Sequence, residues 1–421
     1  MTRGGPAWEA AGRFAADGSV GMDFTPPPFG PGIVRPGIET LEDSPIVEIW
    51  RLGRDRPDVI PLWVGEPDVP TPDFIAEAAI RALRDGDTFY TPNRGTPALR
   101  TALGDYLERL YGVRVTDRRL AVTSAGMSAV MLVGQALIEP GGNAVVVTPC
   151  WPNITRAMQV LGAGIREVAL RGGAAGWQLD LDALFAACDR RTRLIYCASP
   201  GNPTGWVLDA AAAARLLDFA RGRGIAILAD EVYHRLAYDR AERAAAPSLL
   251  EIAGPADPVY VVNSFSKAWA MTGWRLGWLV YPDGQELVFE KLIQFNTSGA
   301  PGFLQAGGAA ALREGEAFVA AFRARCQAGR DRIEAGLAAI PRVLVVPSQG
   351  AFYSMFAVDG VEDTMRFCRE AVLQAGLGLA PGTAFGSGAK RHLRLCYAKS
   401  EALLDEALDR LAKFVARYPG T

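Results

Sequence analysis

The stretch NSFSKAWAMTGWRLGWLV, residues 263–280, sets Lys267 three residues after Ser264, one after Ser266 and eight before Arg275, with Gly273 and Gly277 on either side of the arginine. Two hydroxyls and a guanidinium make a donor set suited to a phosphate dianion, because the arginine fork matches two phosphate oxygens at once. A lysine amine beside a bound phosphate group points to a Schiff base with a phosphorylated aldehyde. A lysine that merely follows a strand is ordinarily a solvated loop residue, so this reading needs partners elsewhere in the chain.

The elements that must position those partners alternate along the sequence. Apolar runs beginning at Leu120, Asn143, Gly164, Leu194, Ile225 and Val259 read as strands, with helical segments between them. That order predicts a mostly parallel sheet with helices on both faces, an α/β fold. In such sheets ligands bind at the carboxyl ends of the strands. Chemistry-bearing residues gather there: Asn202 in SPGNPTG after the run at Leu194, Asp230 and Tyr233 in ADEVY after the run at Ile225, and Ala125-Gly126-Met127 after the run at Leu120, where a helix opens. Free N–H groups at a helix start favour a phosphate. Taken singly, NPTG is a turn sequence and Asp230 a helix cap; their ordered combination with Lys267 is what carries the argument.

Helices are expected from Phe74, ended by Gly86, and from Thr96, with Pro97 early and Gly112 at the end. Beyond residue 300 the order becomes α+β: a helix, strands near 342 and 351, a helix from about Thr364, a strand from His392 and a last helix from Ser400. The expected division is a large domain over 73–299 and a smaller one built from 37–72 and 300–421. Residues 1–36, with Pro26-Pro27-Pro28 and Gly30-Pro31-Gly32, are expected to form a flexible tail or arm.

The set resembles the pyridoxal-phosphate enzymes of fold type I, specifically the class I/II (aspartate aminotransferase-like) aminotransferases, over roughly residue 38 to the C-terminus. The resemblance implies that Lys267 is the internal aldimine lysine, that Asp230 pairs with the pyridinium nitrogen, and that Asn202 and Tyr233 donate to the phenolic oxygen. It makes Trp151 the aromatic stacked on the ring. Ser264, Ser266, Arg275 and the amides of Ala125, Gly126 and Met127 become the phosphate cup. Tyr90, in FYTPNRGTP, resembles the tyrosine that reaches the phosphate of a neighbouring subunit, which implies a homodimer with shared active sites. Arg394, in HLRLCYA, resembles the arginine that clamps the substrate α-carboxylate, and Gly65 the backbone beside it.

The implied reaction moves an amino group between an L-amino acid and a 2-oxo acid. A carboxylate at Asp230 favours a protonated ring nitrogen, which delocalises the charge left when the α-proton is removed. Lys267 would be the base that removes it, with burial and nearby cations lowering its pKa. Pyridoxal-phosphate lyases and oxidases share the early steps and stand as alternatives. A ligand-sensing regulator is a more remote one, expected to carry a basic helix-turn-helix segment for which residues 1–36 are too short and too rich in Gly and Pro.

Composition narrows the partners. The chain has 421 residues, 49% hydrophobic and 21% charged, with 44 Lys and Arg against 46 Asp and Glu for a net charge of -2. No basic field suggests nucleic acid or an anionic membrane surface. Six scattered cysteines without a CxxC pair suit reduced thiols in a cytoplasmic protein, and with only His234 and His392 no multi-histidine metal site is expected. No apolar run predicts a membrane span or a secretory leader. Arg94 is the one candidate for a second cation near a distal carboxylate, with a solvated loop arginine the blander reading. Trp63, Trp151 and the segment from Phe295 to Pro301 are candidates to line an apolar or aromatic pocket, and His234 is expected to be a structural hydrogen-bonding residue.

Overall fold

The computed structural model describes residues 34–238 and 245–419. The tail expected over residues 1–36 lies, up to residue 33, outside the described residues. The chain divides into two units, Met1–Leu41 and Glu42–Thr421. In the first, Pro36–Glu39 form one helical turn, and the Thr40 hydroxyl donates to the Pro36 carbonyl at 2.9 Å.

The second unit is organised by a seven-stranded sheet. Its strands are β1 (Leu120–Thr123), β2 (Asn143–Thr148), β3 (Gly164–Ala169), β4 (Thr192–Ala198), β5 (Ala226–Asp230), β6 (Val259–Ser264) and β7 (Gly277–Val280), in the spatial order β1-β7-β6-β5-β4-β2-β3. All six predicted strands are present. Period-2 alternation decides where their side chains go: Val145 and Val147 of β2 and Ile195 of β4 enter one hydrophobic core, whereas Ala144, Val146 and Leu194 enter a second core on the opposite face. Both faces are therefore covered, which is why the interior strands read as continuous apolar runs, whereas β3, at the edge of the sheet, carries Arg166 and Glu167 and is largely exposed. β7 is the strand that pattern reading missed. It runs antiparallel between β1 and β6, making the sheet mixed.

Local signals set the helix ends. Thr96 accepts from the Leu99 N–H at 3.3 Å, Pro97 takes the first helical position, and Gly112 closes Pro97–Tyr111 at φ 69°, where a side chain would be strained. Ser400 caps Glu401–Arg417 in the same way.

A second, four-stranded antiparallel sheet contains β8 (Val343–Val346), β9 (Tyr353–Val358), β10 (Ala380–Pro381) and β11 (His392–Cys396), in the order β8-β9-β11-β10. A third core joins it to helices Glu316–Ala338, Thr364–Ala375 and Glu401–Arg417 and to Ile49, Ile60, Leu62 and Trp63 from the early part of the unit. Helix Gly302–Glu314 instead packs on Asp73–Arg84 and Pro97–Tyr111 and feeds the first core through Ala309, Ala311 and Leu312.

Candidate active site

A cavity of about 310 Å³ opens where β4, β5 and β6 end, and Lys267 stands on its wall. Lys267 belongs to the single turn Phe265–Ala268 that follows β6 directly. Its Nζ donates to the Gly65 carbonyl at 2.7 Å and lies 5.8 Å from the ring centres of Tyr233 and Phe352. The side chain is half-buried, packed by protein on the cavity wall. That crowding, reinforced by the charges of Arg275 and Arg394, pushes its pKa down to about 8, against the opposing pull of Cys396 and Glu66. An amine so placed is half-neutral near pH 8, as a general base requires.

Asp230 ends β5 with its carboxyl facing the same cavity. Burial pushes its pKa up, while the Tyr196 hydroxyl, donating to Oδ2 at 2.8 Å, the Val232 N–H at 3.3 Å and the charge of Lys267 pull it back. Tyr196 lies two residues before the end of β4, beside β5 in parallel register, with Ala198 opposite Asp230. Sequence reasoning missed Tyr196. Its signal was a phenol inside an otherwise apolar, doubly covered strand, where a hydroxyl needs a partner.

One end of the cavity is rich in donors. Ser264, Ser266, Arg275, Gly126 and Met127 line it. The Ser264 hydroxyl lies 2.9 Å from that of Ser266 and accepts from the Ser266 N–H at 3.1 Å. Helix Gly126–Leu137 points its free first-turn N–H groups here. Ala125 behaves differently from its neighbours: its N–H already donates to the Thr123 carbonyl at 2.8 Å, it is buried behind the cavity wall, and its φ of 102° turns the chain into the helix. Non-glycine residues hold such angles at a cost of about 1–3 kcal/mol, a strain that gathers at functional sites. The turn is tight enough that a Cβ on Gly277 would come within 2.7 Å of the Gly126 nitrogen.

Arg394 also lines the cavity and rises from the middle of the small sheet, between Met355 of β9 and Ala380 of β10. Its guanidinium lies 4.6 Å from the Tyr353 ring and 4.9 Å from that of Phe385. Nη1 donates to the Asn202 side chain at 3.0 Å and Nη2 to the Trp63 carbonyl, while the buried Nε has no hydrogen-bond partner. A buried cationic donor left open is suited to a carboxylate oxygen. Tyr233 is buried, and its hydroxyl pairs with that of Tyr353 at 2.6 Å. Tyr353, which also lines the cavity, was not predicted; it sits within a strand legible only as core. Gly65 is glycine for a steric reason, since a Cβ there would fall 1.7 Å from the Tyr353 hydroxyl oxygen.

Trp151, Asn202 and Trp63 all line the cavity as well. Three residues singled out by sequence lie elsewhere in this chain. Tyr90 is 94% exposed and does not reach the cavity. Arg94 is half-buried, held by Asp117, Glu290 and the Leu120 carbonyl, so it is neither a solvated loop arginine nor a cation facing the cavity. Phe295 is 79% exposed and also away from it. His234 matches its structural expectation: it is buried, its Nε2 is 2.7 Å from the Tyr106 hydroxyl, and burial drives its pKa down to about 3.

The donor set fits pyridoxal phosphate: one cavity holds a cluster of donors for a phosphate dianion, an amine, and a buried carboxylate suited to a ring N–H. Comparison with known proteins agrees. Residues 57–411 match the family model described as aminotransferase class I and II. The chain is 32% identical over 376 residues to an aspartate aminotransferase of Pyrococcus horikoshii, covering 89% of this chain and 95% of that one. Among solved structures, an alanine aminotransferase from Pyrococcus furiosus superposes with a TM-score of 0.85 at 26% identity, covering 91% of this chain and all of that one. An N-succinyldiaminopimelate aminotransferase from Mycobacterium tuberculosis superposes with a TM-score of 0.84 at 29% identity, covering 90% of this chain and 99% of that one.

Proposed function

The chain belongs to the class I and II aminotransferases, pyridoxal-phosphate enzymes that move an amino group between an amino acid and a 2-oxo acid, and on that premise we propose the role of each residue in the cavity. One observation carries the assignment: the Lys267 amine and the Asp230 carboxylate open on one cavity together with a phosphate-type donor cluster and the open guanidinium of Arg394. When bound, pyridoxal phosphate supplies an aldehyde carbon for amine exchange and a protonated ring that accepts the electron pair released at the substrate α-carbon.

The rest is the work of this chain. Ser264, Ser266, Arg275 and the N–H groups of Gly126 and Met127 hold the phosphate, with Ala125 setting the turn that aims them. Asp230, oriented by Tyr196, keeps a positive charge at the ring nitrogen. Asn202 and Tyr233 donate to the ring oxygen, and Trp151 covers a ring face. Arg394 grips the substrate α-carboxylate beside Gly65, which leaves the α-hydrogen to the Lys267 amine. Lys267 is also the covalent attachment point. Borohydride reduction of the holoenzyme followed by peptide mapping should find the cofactor fixed on Lys267; label on any other lysine refutes the assignment.

The two sheets support a division into a large lobe around the seven-stranded sheet, 73–299, and a smaller one from residues 42–72 and 300–421, with helix Gly302–Glu314 packed on the large lobe. Tyr90, exposed in one chain, is assigned to the phosphate site of a second copy in a homodimer. Mixing Tyr90→Phe with Lys267→Ala subunits tests this: a heterodimer in which one site regains activity supports sharing, and one no better than its parents refutes it. No helix among the described residues is long and apolar enough to cross a membrane. All six cysteines are free thiols, which supports a reducing, cytoplasmic setting. The relatives named above are named for aspartate, for alanine and for N-succinyldiaminopimelate.

A further inference from the structure

We propose that Glu231 stands in the folded enzyme as an uncharged carboxylic acid bound to a single buried water, and that this water joins it to Ser199 so as to hold Asp230 and Asn202 in place for the cofactor. Glu231 and Ser199 are thereby positioning residues, and the inference rests on the roles assigned above to Asp230 and Asn202. Glu231 follows Asp230 directly at the end of β5 and is 3% exposed. Neighbouring side chains leave an extended chain on opposite sides. Asp230 lines the cofactor cavity, and Glu231 lines a second cavity, of about 20 Å³, together with Cys197, Ser199, Leu208 and Ser248. Its Oε1 accepts from the Leu249 N–H at 3.0 Å, whereas Oε2 is buried with no hydrogen-bond partner. A buried water needs roughly 10–15 Å³ and about two to four polar partners. The second cavity supplies the space, and Oε2 with the hydroxyls of Ser199 and Ser248 supplies the partners.

The surroundings of Glu231 favour the uncharged acid. Burial drives its pKa up to about 8, the Ser248 side chain and the Leu249 N–H pull it back, and the negative charges of Glu251 and Asp230 add to the rise. Cys197 and Tyr111, also packed near it, are held neutral by burial and by Glu231 itself. Arg235, four residues on, is engaged by Glu316 and the Tyr106 hydroxyl. With Oε1 accepting from an N–H, the acid proton belongs to Oε2, which donates it to the water. Ser199 carries the link onward. Its N–H donates to the Asp230 carbonyl at 3.0 Å, and its hydroxyl accepts from the Leu208 N–H at 2.9 Å, which leaves the hydroxyl hydrogen for the water. The segment from Ser199 to helix Ala210–Arg223 is the one that carries Asn202. On the other side, the Glu231 N–H donates to the Val262 carbonyl of β6 at 2.9 Å, and its carbonyl accepts from the His234 N–H at 2.9 Å, closing the turn that presents Tyr233. One water shared by Glu231 and Ser199 therefore ties together, from behind the cofactor cavity, the segments bearing Asp230, Tyr233 and Asn202.

A crystal structure of the holoenzyme should show one water within hydrogen-bonding distance of Glu231 Oε2 and Ser199 Oγ; an empty cavity overturns the inference. Glu231→Gln copies the uncharged acid and can still donate to the water, so at about pH 6 it should bind pyridoxal phosphate within roughly twofold of wild type. Urea titrations of the two holoenzymes between about pH 5.5 and pH 8 test the proton. The folded protein keeps it up to about pH 8 and the unfolded chain releases it near 4.5, so over this range wild type should lose stability relative to Glu231→Gln, by up to about tenfold in the unfolding constant per pH unit. A difference that does not vary with pH means a charged Glu231 and overturns the inference. Ser199→Ala and Glu231→Leu should each raise the pyridoxal phosphate dissociation constant about fivefold in equilibrium dialysis and move the pH at which the visible absorbance of the bound cofactor titrates. Because both break one bridge, the double variant should lose no more than about fivefold in total. Unchanged affinity and absorbance in either single variant, or losses that multiply in the double one, refute the bridge. Wild-type protein that takes up no pyridoxal phosphate tells against the roles of Asp230 and Asn202, and the crystal structure and urea titrations then still decide the state of Glu231.

Discussion

Replacing Arg394 tests the carboxylate clamp, and the structure sets the size of the effect. The guanidinium keeps Nε open, holds Asn202 through Nη1 and the Trp63 carbonyl through Nη2, and lies between the Tyr353 and Phe385 rings. A substrate carboxylate accepting two charge-assisted hydrogen bonds from it gains about 1.5–3 kcal/mol from each. Arg394→Ala removes both, a loss of about 3–6 kcal/mol, or roughly 10²- to 10⁴-fold in kcat/KM for an amino acid. Arg394→Lys keeps the charge and one bond but not the planar fork between the rings, so a smaller loss of about 30- to 1000-fold is expected. The assay is the single-turnover conversion of the bound cofactor, run with an amino acid and with the matching amine that lacks the carboxylate. The amine should be nearly indifferent to both substitutions. Thermal unfolding of each variant, measured separately, reports the cost of leaving Asn202 and the Trp63 carbonyl without their donor. If the amine and the amino acid lose equally while both variants remain folded, Arg394 supports the fold and does not grip the substrate.

Two further outcomes follow from the same geometry. In cofactor-free protein the Lys267 pKa of about 8 lies below the ordinary 10.5, so the fold bears the full cost of holding the charged amine below pH 8 and sheds it as pH rises toward 10.5. Lys267→Met should therefore stabilise the cofactor-free protein at pH 7, by about 1–3 kcal/mol, with the advantage shrinking steadily by pH 9.5 in denaturant titrations; an advantage that does not vary with pH contradicts a charged, desolvated lysine. Tyr196→Phe deletes the hydroxyl that donates to Asp230 and so favours its protonated form further, which should weaken pyridoxal phosphate binding about tenfold in equilibrium dialysis. Unchanged affinity in that variant shows that the phenol only fills space.

The sequence by itself determined the α/β class, six strands of the large sheet and the residues that meet at their carboxyl ends. These features are local or combinatorial. A doubly buried strand needs an unbroken apolar run, a helix start needs a capping residue and a free amide, and Lys267, Asp230, Asn202 and Arg275 each follow a strand that can be recognised from its own residues. The tertiary structure decided what depends on residues distant in the chain. Tyr196 acquires its role only because β4 lies beside β5, and Tyr353 only because the small sheet brings its hydroxyl onto that of Tyr233. β7, four residues long, becomes a strand because β1 and β6 offer their edges to it. Arg94 was a plausible second cation in the sequence, and folding placed it against Asp117 and Glu290. A side chain's type sets which chemistry it can do; which partner it meets is fixed by contacts between segments tens to hundreds of residues apart, and no local pattern encodes those.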